Sequence, residues 1–176
     1  AASASDLDLS ALRVQPDVTP TKGFPMSEMF RRAAILGLLS AVGPFAIDMY
    51  LPAMPAIAED LASTIAGTQT TLIAFFLCFG LAQLVYGPWA DSAGRKLPLY
   101  FGLGVYLLAS VWAALAPDIT NLTAARAMQG LGAAAVMVIP RAIIRDWSTG
   151  TEATRLMAMV MLVISVSPML APLAGS

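Results

Sequence analysis

Residues 70–116 read TTLIAFFLCFGLAQLVYGPWADSAGRKLPLYFGLGVYLLASVWAALA, two uncharged apolar blocks joined by a short polar loop that ends in Arg95 and Lys96. Each block is about 20 residues long. At 1.5 Å per residue, that is the length a helix needs to cross a hydrocarbon core of about 30 Å. The first block spans Thr70 to Trp89 and the second Leu97 to Ala116. Read outward from this pair, three further segments have the same character. One runs from about Ala33 to Met54, one from Ile119 to about Ile139, and one from Leu156 to the end.

The composition agrees with a membrane protein. Of 176 residues, 58% are hydrophobic and 12% charged, about half the charge of an ordinary soluble domain. The formal net charge is −1 and no basic run is present, so nucleic acid is not an expected partner. Histidine is absent and Cys78 is the single cysteine, which excludes a disulfide within the chain and any His/Cys metal site. Cys78 sits in an apolar run and reads as a small buried hydrophobe. An enzyme is not expected either: there is no histidine, no paired intramembrane carboxylate and no Gly-x-Ser-x-Gly turn.

Basic residues near helix ends stay cytoplasmic, and they fix the topology. Lys22, Arg31 and Arg32 precede the first segment, Arg95 and Lys96 separate the second from the third, and Arg141, Arg145 and Arg155 separate the fourth from the fifth. The opposite connections hold Glu59, Asp60 and Asp118 but no Lys or Arg. The expected fold is therefore an all-α bundle of five transmembrane helices with a cytoplasmic N-terminus. Residues 1 to about 30 are a polar, Pro-punctuated cytoplasmic tail without the pattern of a secretory signal, and residues 31–176 form the bundle. Trp89, Trp112 and Trp147 fall near the membrane interfaces. Ala124, Ala125, Gly130, Gly132 and Ala133 to Ala135 let neighbours approach the fourth helix closely.

Two charges lie at membrane depth, Asp48 in the first helix and Arg126 in the fourth. Each costs on the order of 3 kcal/mol at a bilayer centre and marks a functional site by default. Both lie roughly 8 to 10 Å below the expected outer ends of antiparallel helices, so the sequence predicts an Asp48–Arg126 pair. Such a pair either fixes the packing or switches protonation as its separation and hydration change. Gln129 follows one turn after Arg126 and shares its face. Gln83 suits an interhelical hydrogen bond or a substrate contact equally. Phe45 and Tyr50 complete the expected cavity. Pro44, Pro52 and Pro55 bracket Asp48, and Pro168 and Pro172 interrupt the fifth helix. They suit either a moving gate or a rigidly shaped path.

Several of these stretches resemble known motifs. Gly87-Pro-Trp-Ala-Asp91-Ser-Ala-Gly94-Arg95-Lys96 resembles motif A of the major facilitator superfamily, and Arg126-Ala-Met-Gln129-Gly130-Leu-Gly132 resembles its motif B. Asp48-Met-Tyr-Leu-Pro52-Ala-Met-Pro55 is similar to the end of helix 1 in the Bcr/CflA group of drug:proton antiporters. Met159-Val-Met-Leu-Val and Pro168-Met-Leu-Ala-Pro172-Leu-Ala-Gly175 are similar to that group's helix 5, where motif C sits. Departures are Ser92, where motif A usually has a basic residue, and Ser165 and Ala171, near positions often held by glycine.

The resemblance implies alternating access in a bacterial inner membrane, with a small amphipathic drug leaving as protons enter and no cofactor besides the coupling proton. It implies a latch of Gly87, Asp91, Gly94, Arg95 and Lys96, a proton-coupling pair of Asp48 and Arg126, and a flexing antiporter helix carrying Pro168, Pro172 and Gly175. Members of the family have twelve or more helices in two halves, with the substrate between them. These residues are accordingly expected to need a sixth helix and a C-terminal half as partners, and to be inactive without them. The alternative is a small oligomeric structural or channel-type membrane protein.

Overall fold

The computed structural model describes the backbone of residues 26–148 and 150–175, with side chains for 27–148 and 150–166. Most of the expected tail, with Lys22, lies outside these residues. Six helices follow in order: α1 (Met26–Asp48), α2 (Tyr50–Asp60), α3 (Ile65–Ser92), α4 (Lys96–Ala114), α5 (Ile119–Trp147) and α6 (Gly150–Gly175). Among the described residues α1, α3, α4 and α5 are long and apolar enough to cross a membrane, and α6 has comparable length.

The first crossing is not one helix. Its ladder breaks at Met49 and resumes as α2. Pro52 has no N–H to offer the Asp48 carbonyl, and Pro55 none for Leu51, so two rungs near the break are missing. Several boundaries differ from those expected from sequence. Helix α1 starts at Met26 rather than Ala33, and α6 at Gly150 rather than Leu156. Helix α5 runs on to Trp147, past the expected end at Ile139. Arg141 and Arg145 form its basic cytoplasmic extension rather than a loop.

Capping residues set the outer turns. The Thr64 side chain accepts from Gly67 N at 3.1 Å, and Asp118 accepts from Asn121 N at 2.8 Å. The second cap pulls the Asp118 carboxyl below its ordinary range, because backbone and side-chain donors of Asn121 favour its charged form.

Helix α5 is the hub. Over its most apolar stretch 56% is buried, against 17–28% for α1, α3 and α4. It packs on α3 and α4, while α1 packs on α6. The small residues do what their crowding predicts: Ala125, Gly130, Gly132 and Ala133 to Ala135 are all buried, while Ala124 remains exposed. A Cβ on Gly130 would overlap the Phe75 carbonyl, and one on Gly132 would meet the Gly102 carbonyl and the backbone of Tyr106. Backbones of α3 and α4 therefore touch α5 directly. The outward faces of α3 and α4 carry exposed Ile73, Leu77, Leu84, Leu107, Leu108 and Leu115. That is the arrangement for lipid rather than water.

Candidate functional site

Arg126 is the one charged side chain counted in the core among the described residues, only 4% exposed. Residues from four elements surround it. Its guanidinium lies 4.0 Å from the ring centre of Tyr50 on α2 and 5.1 Å from that of Phe75 on α3, so two aromatic faces replace part of its hydration. On α5 its Nη1 donates to Gln129 Oε1 at 3.0 Å. Gln129 Nε2 donates in turn to Ser110 Oγ on α4 at 2.9 Å, and Ser110 Oγ donates to the Tyr106 carbonyl at 2.7 Å. The Tyr50 hydroxyl is tied to Thr71 Oγ1 at 2.6 Å. Thr71 already donates to the Thr68 carbonyl at 2.7 Å, so Tyr50 is the donor between them. Nε and Nη2 of Arg126 are buried without a hydrogen-bond partner.

The expected pair with Asp48 does not form. Among the described residues no ion pair or hydrogen bond joins half-buried Asp48 to another side chain; the ion pairs include Arg32–Glu28, Arg95–Asp91 and Arg95–Asp146. The physical reason lies in the length of the first crossing. It ends at Asp60 rather than Met54, which puts Asp48 about 18 Å from its outer end, while Arg126 is about 10 Å from the start of α5. The aromatic Tyr50 occupies the face of the guanidinium.

The expected cavity divides in two. Tyr50, Arg126 and Gln129 line one of about 370 Å³. Phe45 lines a separate apolar one of about 530 Å³ between α1, α4 and α6, together with Met49, Tyr106 and Val163. Gln83 is half-buried on α3 and lines neither. Sequence reasoning missed Phe75, Thr71, Ser110 and Tyr106. Thr71 and Ser110 carried a usable signal, being hydroxyls inside apolar runs.

The loop after α3 forms a second cluster. Arg95 reaches Asp91 at 2.6 Å through Nη1 and Asp146, near the cytoplasmic end of α5, at 2.7 Å through Nε. Asp146, which the sequence did not single out, holds the Arg95 proton more tightly than usual by accepting its hydrogen bonds. Both carboxylates are exposed and Arg95 is partly so, which leaves the pairs screened by water, and the clamp orients the loop more than it stabilises the fold. Gly87, Asp91 and Arg95 line a cavity of about 1020 Å³ that reaches α6, while Lys96 is exposed at the start of α4. Gly94 has φ +82°, in the left-handed region, and Gly87 has open space around it. Gly94→Ala is expected to cost about 1–2 kcal/mol and lower the melting temperature, whereas Gly87→Ala leaves it unchanged. Thermal denaturation in detergent measures both, and equal melting of the two variants counts against a turn fixed by Gly94. Pro168, Pro172 and Gly175 lie on α6 beyond the described side chains.

Comparison with known proteins completes the picture. The chain is 41% identical over 148 residues to the MFS-type transporter YdgK of Bacillus subtilis, covering 84% of this chain and 37% of that protein. It is 37% identical over 141 residues to Multidrug resistance protein D of Escherichia coli, covering 80% of this chain and 36% of that one. It is 36% identical over 140 residues to a bicyclomycin resistance protein homolog of Haemophilus influenzae, covering 80% and 35%. The chain thus spans little more than a third of the length of these relatives. The Major Facilitator Superfamily profile matches residues 36–176. With that match over most of its length and apolar helices packed around α5, this chain belongs to the major facilitator superfamily, as a multi-pass protein of the bacterial inner membrane.

Proposed function

We propose that the chain forms the N-terminal part of a proton-coupled multidrug exporter, which releases small amphipathic molecules of the bicyclomycin or chloramphenicol type by alternating access. The observation that carries this reading is Arg126: a cation buried where α2, α3, α4 and α5 meet, held by aromatic rings and one amide, with two donors unmatched. A fixed structural cation is normally paired and saturated with hydrogen bonds. One left partly unmatched in a membrane transporter suits a site whose charge balance changes during the cycle. The names of two relatives, a multidrug resistance protein and a bicyclomycin resistance protein homolog, support the substrate class. Asp48, on a crossing broken by prolines, supplies the carboxyl that carries the coupling proton. Protons are the only coupling species, and the C-terminal half is the partner that closes the substrate path.

The test joins this chain to the remaining two-thirds of the E. coli relative and expresses the chimera in a drug-sensitive strain. Everted membrane vesicles with an acidified lumen are expected to release protons when drug is added, and Arg126→Ala is expected to reduce that release at least tenfold. A chimera that is inserted and folded yet exchanges no protons for drug overturns the proposal.

A further inference from the structure

The cytoplasmic cavity beside the Arg95 clamp is polar at one end and apolar at the other. Helix α5 is 29 residues long, about 43 Å, so its last turns reach past a hydrocarbon core of about 30 Å into the head-group layer. Val138, Arg141 and Arg145 line the cavity from α5, at spacings that put them on one face. Because α5 runs inward, Arg145 sits at the cytoplasmic end and Val138 about 10 Å deeper, with Arg141 between them. Across the gap α6 runs outward, and its lining face passes from Thr154 to Met157 and Met161, about 10 Å toward the membrane interior. The gap stays open because α6 leans on α1 and barely touches α5. Arg95 engages both Asp91 and Asp146. Arg141 is half-buried and Arg145 exposed, and among the described residues neither makes an ion pair.

We infer that this cavity binds one anionic phospholipid, its phosphate at Arg141 and Arg145 and an acyl chain along Val138, Met157 and Met161. The occupant must be negative at the two guanidinium groups and apolar about 10 Å further in. A phospholipid of the cytoplasmic leaflet has that polarity, in that order and at that depth. Guanidinium groups suit phosphate, since each presents paired N–H donors to its oxygens. A zwitterionic head group brings its own cation toward the arginines and loses part of the attraction, so a net negative head group is preferred. A free phosphate fills the polar end alone. Bound there, the lipid bridges α5 and α6, two helices that otherwise share little contact. The inference goes beyond the exporter reading and does not rest on it.

Dioleoyl-phosphatidylglycerol is the probe, with dioleoyl-phosphatidylcholine as its zwitterionic match and glycerol 3-phosphate as a head group without chains. Each is titrated against the full chain in detergent micelles, and bound molecules are counted by native mass spectrometry. One phosphatidylglycerol is expected to bind at least tenfold more tightly than phosphatidylcholine, and glycerol 3-phosphate not at all over the same range. A basic residue beside an anionic lipid is worth about fivefold in affinity, so Arg141→Gln is expected to weaken binding about fivefold and the double variant with Arg145→Gln about twenty-five-fold. Arg155→Gln removes the same charge from an exposed position on α6 outside the cavity and is expected to leave the affinity unchanged. Ala158→Phe keeps every charge and fills the cavity from an exposed position on α6, and is expected to weaken binding at least tenfold. Absence of binding, equal binding of either match, equal weakening by Arg155→Gln, or full affinity in Ala158→Phe overturns the inference. The chimera is titrated alongside, and loss of phosphatidylglycerol there assigns the cavity to the C-terminal half and overturns the inference as well.

Discussion

Gly130→Ala is expected to destabilise the bundle by about 3 kcal/mol, a fall in melting temperature of roughly 6 to 12 °C for a chain of this size. One methyl group has this effect because of where it points. The added Cβ would overlap the carbonyl oxygen of Phe75, a backbone atom in the middle of α3 that no rotamer change can move aside. Helices α3 and α5 would have to separate along their most extensive contact. Phe75, fully buried, would then withdraw from Arg126. Gly104→Ala is the control: it lies on α4 with nothing within reach of a new Cβ, and improves local helix propensity by up to about 1 kcal/mol. Melting of purified variants in detergent, followed by circular dichroism, measures the difference. If Gly130→Ala melts together with the native chain, α3 and α5 are not held at backbone contact.

This close approach was legible in the sequence as a cluster of small residues on one helix, and the crossings themselves were legible as uncharged blocks of membrane-spanning length. Arg126 was equally plain, since a lone charge in an apolar run has few explanations. What the sequence hid were distances between helices. An Asp and an Arg in matching runs suggest a pair, yet the pairing depends on where the first crossing ends, and Glu59 and Asp60 disguised its last turn as a loop. Tyr50 was noted as a cavity residue, but nothing in a linear pattern shows an aromatic face taking the position over a guanidinium that an anion was expected to fill. Asp146 escaped for a similar reason. It stands 51 residues from Arg95, within a basic stretch whose charge dominated the reading of that segment.

Asp48→Asn is expected to abolish proton-driven efflux in the chimera, leaving less than a tenth of the native drug-dependent proton release, while the protein still inserts and melts near the native temperature. The two side chains have nearly the same shape, so packing around α1 is preserved. The difference is that the amide never gains or loses a proton. Among the described residues no partner neutralises the Asp48 carboxyl, so the substitution breaks no ion pair and should cost little stability. A charge kept in an apolar segment without such a structural reason is best explained by use. The surrounding backbone suits that use: Pro44 and Pro52 flank Asp48, and the ladder breaks at Met49 immediately after it, so the carboxyl can change its surroundings with modest rearrangement. Proton release and drug accumulation, measured on the same variant, separate the possible outcomes. Loss of both with retained folding places Asp48 in the coupling step. Native proton exchange in Asp48→Asn removes it from the mechanism.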